Sequence, residues 1–258
     1  MLDHLPWLYR IGGALLLVAA AAAVSRYRRI GLEADMLTAV IRAFVQLIAI
    51  GYALKFIFAA RNPFWIFLVV FAMVAIAGHT AGKRGRGVPR SRFVATVAIS
   101  VGVALTLGLL VALQVFPFQP RYIIPVAGMV VGNAMTVCGL VMGRLRDDLK
   151  MQRLQVETAL ALGAAPAQAV QGQLRRALAT GMTPIVDNTK TVGLISLPGA
   201  MTGMILAGAP ALEAVQLQII VMYMLIGAAS FTGLTATFFT YRQFFTKQHQ
   251  LTVEFPTQ

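Results

Sequence analysis

The chain is 258 residues long, 58% hydrophobic and only 12% charged, with a formal net charge of +13 and a mean hydropathy of +0.76. A single soluble domain of that length cannot hide so much apolar surface, so lipid is the solvent the composition requires. The basic excess does not call for nucleic acid, because cytoplasmic loop charge facing an anionic leaflet accounts for it without such a partner.

Apolar stretches long enough to cross about 30 Å of hydrocarbon at helical rise occur near residues 7–25, 37–60, 64–81, 94–116, 122–143, 184–208 and 214–240. Seven spans in an all-α bundle, forming one transmembrane domain over 1–258, is the expectation. Asn62-Pro63 leaves only a short turn between the second and third. Basic residues gather after span one (Arg26, Arg28, Arg29), after span three (Lys83, Arg84, Arg86, Arg90, Arg92), between spans five and six (Arg144, Arg146, Lys150, Arg153, Arg175, Arg176) and after span seven (Arg242, Lys247). The opposite loops hold only Arg61 and Arg121. The positive-inside bias therefore places the N-terminus outside and the C-terminus in the cytoplasm. A secretory signal is disfavoured, since Asp3 precedes the first apolar run and the basic cluster follows it. Cys138 is the single cysteine and has no disulfide partner; His4, His79 and His249 show no metal-ligand spacing.

Span five carries Gly128, Gly132, Gly139 and Gly143, with Thr136 in the missing step. Span six repeats the device with Gly193, Ser196, Ala200, Gly203 and Ala207. Such stripes allow close helix packing, within the chain or across a dimer axis. Pro125 is expected to interrupt span five near its outer end. The polar loop 144–183 is too short for a nucleotide-binding domain and long enough for two short helices. Asp147 and Asp148 suit a helix start, Gly163 and Pro166 a stop and a new start, and the second helix should run to about Gly181. The expectation is a helix, an elbow and a helix below the membrane.

In span six, Thr183 reads as an N-cap and Pro184 as the first helical residue, which puts Asp187 and Lys190 just inside the membrane as a functional pair or a simple i,i+3 ion pair. Pro198 should break the helix because it cannot donate to the Leu194 carbonyl. Arg42 and Gln46 in span two are candidates to answer Asp187. Met129, Asn133 and Thr136 on span five, with Met201 and Met204 on span six, offer thioether and amide ligands that suit a soft or borderline metal, although methionine is also ordinary core filler. The translocation path is thus assigned to Arg42, Gln46, Met129, Asn133, Asp187, Lys190, Pro198 and Met201. No Walker A is present; Gly78 to Arg84 has the wrong gap and lacks the hydroxyl residue after Lys.

Longer words carry a family resemblance. They are Gly181 to Pro184, Asp187 to Lys190, Val192 to Gly203, Gln218 to Met224, Pro125 with Gly128-Met129, Gly132 to Thr136, Arg42 to Leu47, and Glu157 to Pro166 as ETALALGAAP. Together, over roughly 37–246, they resemble the FetB-type (YbbM) iron-export permeases, whose plant relatives are aluminium-tolerance half-transporters. Ala134, where a small hydroxyl residue is expected, is the main departure. Within ETALALGAAP, Glu157, Ala159 and Gly163 match the pattern with which ABC-transporter permeases grip their ATPase, and Ala164 and Pro166 complete the turn; the other reading of the same segment is an amphipathic helix resting on the inner leaflet with its Lys and Arg toward lipid headgroups.

The resemblance implies a permease subunit of the bacterial inner membrane, without an ATPase site or a cofactor of its own. A separate FetA-like ATPase would hold ATP and Mg, two permeases would pair with two ATPases, and the cargo would be iron or a related metal ion, exported. Two other readings remain: an ion-coupled secondary transporter or channel gated by Asp187 and Lys190, for which no inverted repeat is visible, and a membrane enzyme, for which no catalytic constellation is visible.

Overall fold

The computed structural model describes residues 7–60, 62–246 and 248–251. Asp3, His4, Arg61 and Lys247 lie outside the described residues. Among the described residues every regular element is helical, and the chain divides into two compact units, 1–61 and 62–258.

The first unit is a helical pair, α1 (Trp7–Tyr27) and α2 (Glu33–Ala60). The turn between them uses left-handed backbone at Arg29 and Gly31. Buried Ser25 accepts the Leu32 N–H at 3.2 Å, which satisfies a donor at the mouth of α2. Glu33 and Asp35 fall in the first turn of α2, where the helix dipole favours negative charge.

The second unit contains α3 (Phe64–Arg84), α4 (Ser91–Ala112), α5 (Pro120–Met151), α6 (Arg153–Ala161), α7 (Pro166–Ala169), α8 (Gln171–Thr191), α9 (Gly199–Leu206) and α10 (Ala211–Gln243). Its centre is α5 against α10, flanked by α3 and α4 on one side and α8 on the other. The seams are built from small side chains, among them Ala95, Ala98, Ala127, Ala134, Ala177, Ala228, Ala229 and Ala236, all fully buried. In lipid no hydrophobic force draws helices together, so close backbone approach and dispersion must hold them.

Five helices among the described residues, α2, α3, α4, α5 and α10, are long and apolar enough to cross a membrane, and α1 contributes a shorter apolar stretch, Ile11–Tyr27. The chain is therefore an all-α polytopic membrane protein. The expected sixth span is the point of difference. Residues 184–208 do not form one helix: α8 ends at Thr191, residues 192–198 leave helical geometry, and α9 begins at Gly199.

Three boundary expectations change with it. Thr183 and Pro184 lie inside α8, where Thr183 bonds back to the Ala179 carbonyl at 2.9 Å; Pro184 lacks the N–H to complete one backbone bond, and neighbouring packing holds the helix through it. The break begins at Val192, whose backbone is extended, and Gly193 follows with φ of +80°, a conformation that suits glycine. Pro198 is then the N-cap of α9 rather than the cause of the break. Pro125 likewise does not interrupt α5, which runs unbroken for 32 residues.

Asp147 and Asp148 sit near the end of α5, not at a helix start. At 1.5 Å per residue α5 is about 48 Å long, well beyond the hydrocarbon thickness. Its charged last turns therefore project past the lipid as a rigid arm.

Candidate functional site

The projecting end of α5 and the start of α8 are joined by a polar cluster built around one buried carboxylate. Asp148 is fully buried, with Arg144 Nε 3.2 Å from Oδ1 and Arg176 Nε 3.3 Å from Oδ2. Gln152 Oε1 accepts two bonds, from Gln173 Nε2 and from a terminal Arg176 nitrogen, each at 2.8 Å. A second tie runs from Arg146 to the Arg86 carbonyl in the α3–α4 turn. Arg146 also pairs with Asp147 at 2.7 Å. This cluster was not anticipated, because its α5–α8 partners are 21, 24 and 28 positions apart in sequence and meet only when α8 folds back along α5.

From that base the chain makes the expected elbow. Helix α6 is anchored by Val156, which is fully buried. Leu162 caps it, and Gly163 turns the chain with φ of +90°. Pro166 opens α7, where the Gln168 side chain accepts the Ala165 N–H at 3.1 Å. The second arm is interrupted at Val170 and resumes as α8, which continues ten residues beyond Gly181 to Thr191 instead of stopping near it.

The expected coupling residues Glu157, Ala159, Gly163, Ala164 and Pro166 are brought together on α6, the elbow and α7. Glu157 is half-exposed and paired with Arg153 at 2.7 Å, one helical turn back. A cleft of about 510 Å³ opens beside it, lined by Glu157, Leu160, Ala161, Gly163 and Ala164. Its other wall is a C-terminal hook that sequence reasoning missed: Gln248, His249, Gln250 and Leu251 line the cleft. The hook is held by an antiparallel bridge between Phe245 and Leu251 and by burial of Phe244 and Leu251. An aromatic run after a long helix is its only trace in the sequence.

The residues assigned to a path are dispersed among several roles. Arg42 and Gln46 lie beside Thr38, Ile41 and Val45 on one face of α2. Asn133 donates to the Leu225 carbonyl at 2.9 Å, bolting α5 to α10. Met129 is half-buried and packs on the core. Asp187 and Lys190 form the i,i+3 pair at 3.8 Å, with both side chains more than half exposed. Met201 borders a cavity at the helix break together with Thr189, Gly193, Gln218 and Met222; Pro198 stands at the edge of the same break.

Within the chain most of the stripe glycines are left uncovered. A Cβ at Gly132, Gly143, Gly193 or Gly203 would meet nothing within 4 Å, and one at Gly128 only the Met73 terminal methyl at 3.9 Å. Among the stripe glycines, Gly139 alone is covered from within the chain, with the Arg84 side chain 3.3 Å from its would-be Cβ; the faces of the others remain open to a dimer axis. Close packing sits instead at Gly82, where a Cβ would lie 2.6 Å from the Arg92 Cα, and at Gly181, 2.5 Å from a Val141 methyl. Sequence spacing identifies which glycines share a face but not which face another helix covers. Among the described residues no three His, Cys, Asp or Glu side chains cluster as a metal centre.

A family profile described as "Uncharacterised protein family (UPF0014)" matches residues 8–245. The chain belongs to the UPF0014 family. The shared region begins well before residue 37 and includes the N-terminal helix. A rice relative named "UPF0014 membrane protein STAR2" is 56% identical over 238 residues, covering 92% of this chain and 84% of the relative. The thale cress "Protein ALUMINUM SENSITIVE 3" is 54% identical, covering 92% and 87%. The Escherichia coli "Probable iron export permease protein FetB" is 38% identical over 240 residues, 93% of both chains. No solved structure matches. The resemblance drawn from the sequence words is therefore a true family relation, and this UPF0014 protein is a multi-pass membrane protein of permease-like kin.

Proposed function

We propose that the protein is the membrane-spanning permease subunit of an ABC transporter and exports iron or a related metal ion with ATP hydrolysed by a separate subunit. The observation that carries this reading is the elbow. Two short arms flank a left-handed glycine, beyond the lipid-facing length of α5 and braced on its arm through buried Asp148. A rigid arm is what coupling needs, because a movement imposed on a loosely held loop would dissipate before reaching the spans. The relation to the protein named as a probable iron export permease supports the cargo class.

In this reading the N-terminus is outside, the C-terminus and the elbow are cytoplasmic, and two permeases assemble with two ATPases in a bacterial cytoplasmic membrane. ATP and Mg belong to the partner. Glu157, Gly163, Ala164 and the hook residues form the cleft into which the ATPase docks. The alternative, an ion-coupled transporter gated by Asp187 and Lys190, draws on one observation, their ion pair on α8. Both side chains are more than half exposed on the unit, so the elbow carries more weight.

The test is co-purification in mild detergent. Glu157→Lys is expected to lose the ATP-hydrolysing partner while membrane abundance is unchanged. The double exchange Arg153→Glu with Glu157→Lys restores the pair within α6 but inverts charge at the elbow, so it should also fail to recover the partner. Recovery in the double variant would reduce Glu157 to a helix-stabilising role, and retention of the partner by both variants would remove the elbow from the mechanism.

A further inference from the structure

Gln218 is an amide without an internal purpose. It lies on α10 among apolar neighbours, is 5% exposed, and neither its Nε2 nor its Oε1 finds a hydrogen-bond partner. An unmet primary amide in a membrane interior is costly, and polar residues kept there usually face a path or a partner. Gln218 borders a cavity of about 310 Å³ between the end of α8, the break and α10. Thr189, Met201 and Met222 share its lining, and the Thr189 hydroxyl is 3.8 Å from the Met222 sulfur.

The backbone supports the same place. Gly193, at the point where helical geometry is lost, is also in the lining. Irregular backbone at membrane depth is tolerated where it faces protein or a cavity, and broken helices are where many transporters hold their cargo. Asn133 meets Leu225 on α10, so Gln218, seven residues away, lies about 10 Å farther from the elbow along the helix. That puts the cavity in the half of the unit remote from the elbow, at a distance from the charged arms.

We infer that the cavity at the α8–α9 break is a cargo site in which the Gln218 amide and the Met201 and Met222 thioethers take a borderline-to-soft metal cation. The inference rests on the transport reading above and adds the site and its selectivity. No carboxylate is in the lining. Mg2+ gains almost nothing from thioether sulfur, whereas the more polarisable Fe2+ and, more strongly, the weakly hydrated Cu+ and Ag+ accept thioether and amide ligands, so ligand softness decides the selectivity. The site therefore admits Fe2+ or Cu+ and rejects Mg2+.

The experiment is anaerobic titration of the full chain in lipid nanodiscs with Fe2+, with Ag+ as a soft ion stable to air, and with Mg2+ as the hard control. One Fe2+ or Ag+ per chain is expected, with no Mg2+ binding. Gln218→Leu and Met222→Leu should each weaken binding at least tenfold with little change in thermal midpoint. Gln218→Met supplies a thioether of similar size and should strengthen Ag+ while weakening Fe2+, a reversal that a merely structural glutamine would not produce. Failure of the wild type to bind both Fe2+ and Ag+, or binding indifferent to all three substitutions, overturns the site. Partner co-purification in parallel separates the two claims. An ATPase partner without cation binding refutes the site alone, and absence of both refutes the transport reading with it.

Discussion

Asp148 shows how unequal the two sides of an ion pair can be. Its side chain is 1% exposed, whereas those of Arg144 and Arg176 are 43% and 46% exposed. Without Asp148 both guanidinium groups can hydrate where they stand. Without Arg176 a buried carboxylate keeps one cationic neighbour and cannot reach water. Removing a partner from a buried pair costs about 3–5 kcal/mol when the remaining charge is stranded, and the surviving Arg144 reduces that. Arg176→Leu is therefore expected to destabilise by about 2–3 kcal/mol, and Asp148→Asn by about 1 kcal/mol. Chemical unfolding in detergent should place the arginine variant clearly below the asparagine one; the reverse order would mean that Asp148 is held mainly by dipoles and not by its arginines. Asp148 was visible in the sequence as an acidic residue that suited a helix start. Its burial was not, since that depends on Gln173 and Arg176 arriving from α8.

At the scale of elements, the long helices were legible and the broken one was only half so. Runs of apolar residues determine that α2, α3, α4, α5 and α10 exist, because a span must satisfy its own backbone and expose apolar side chains. The same rule joined 184–208 into one span. Extended backbone at Val192 and positive φ at Gly193 end α8 early, and Leu194, Ile195 and Leu197 stand more than half exposed in the break. Composition cannot separate a lipid-crossing helix from two helices and a loop of equal hydropathy.

Glycine function divides similarly. Gly82 is pressed against the backbone of Arg92 and cannot yield, while Gly132 faces open space within the chain. Gly82→Ala should lower the thermal midpoint of the monomer by several degrees, and Gly132→Ala should leave it unchanged. Equal midpoints for the two would show that α3 and α4 separate easily. If Gly132→Leu preserves the monomer but abolishes a permease pair in cross-linking, its stripe serves the dimer axis.

For the whole molecule, charge asymmetry sets an orientation that one helix can test. Gln119 and Lys150 lie near opposite ends of α5 and are both exposed. Cys138 is fully buried and should not react with polar reagents. A membrane-impermeant thiol reagent applied outside intact cells is expected to label Gln119→Cys and spare Lys150→Cys, with the pattern reversed in inverted vesicles. Labelling of both from one side would mean that α5 does not cross. The opposite pattern would invert the topology and put the elbow out of reach of cytoplasmic ATP.

The sequence by itself determined the solvent, the helical class, the position of the elbow and the family, because each depends on composition or on a contiguous word. Hydropathy is a property of segments, and Glu157 to Pro166 folds through local turn chemistry at Gly163 and Pro166. Tertiary structure alone decided which polar groups are buried, which glycines are covered, that the C-terminal hook completes the cleft beside Glu157, and that Gln218 stands unpartnered at the break. Those facts depend on residues far apart in the chain meeting across helix faces, and a helix with apolar residues all round does not state which face its neighbour will cover.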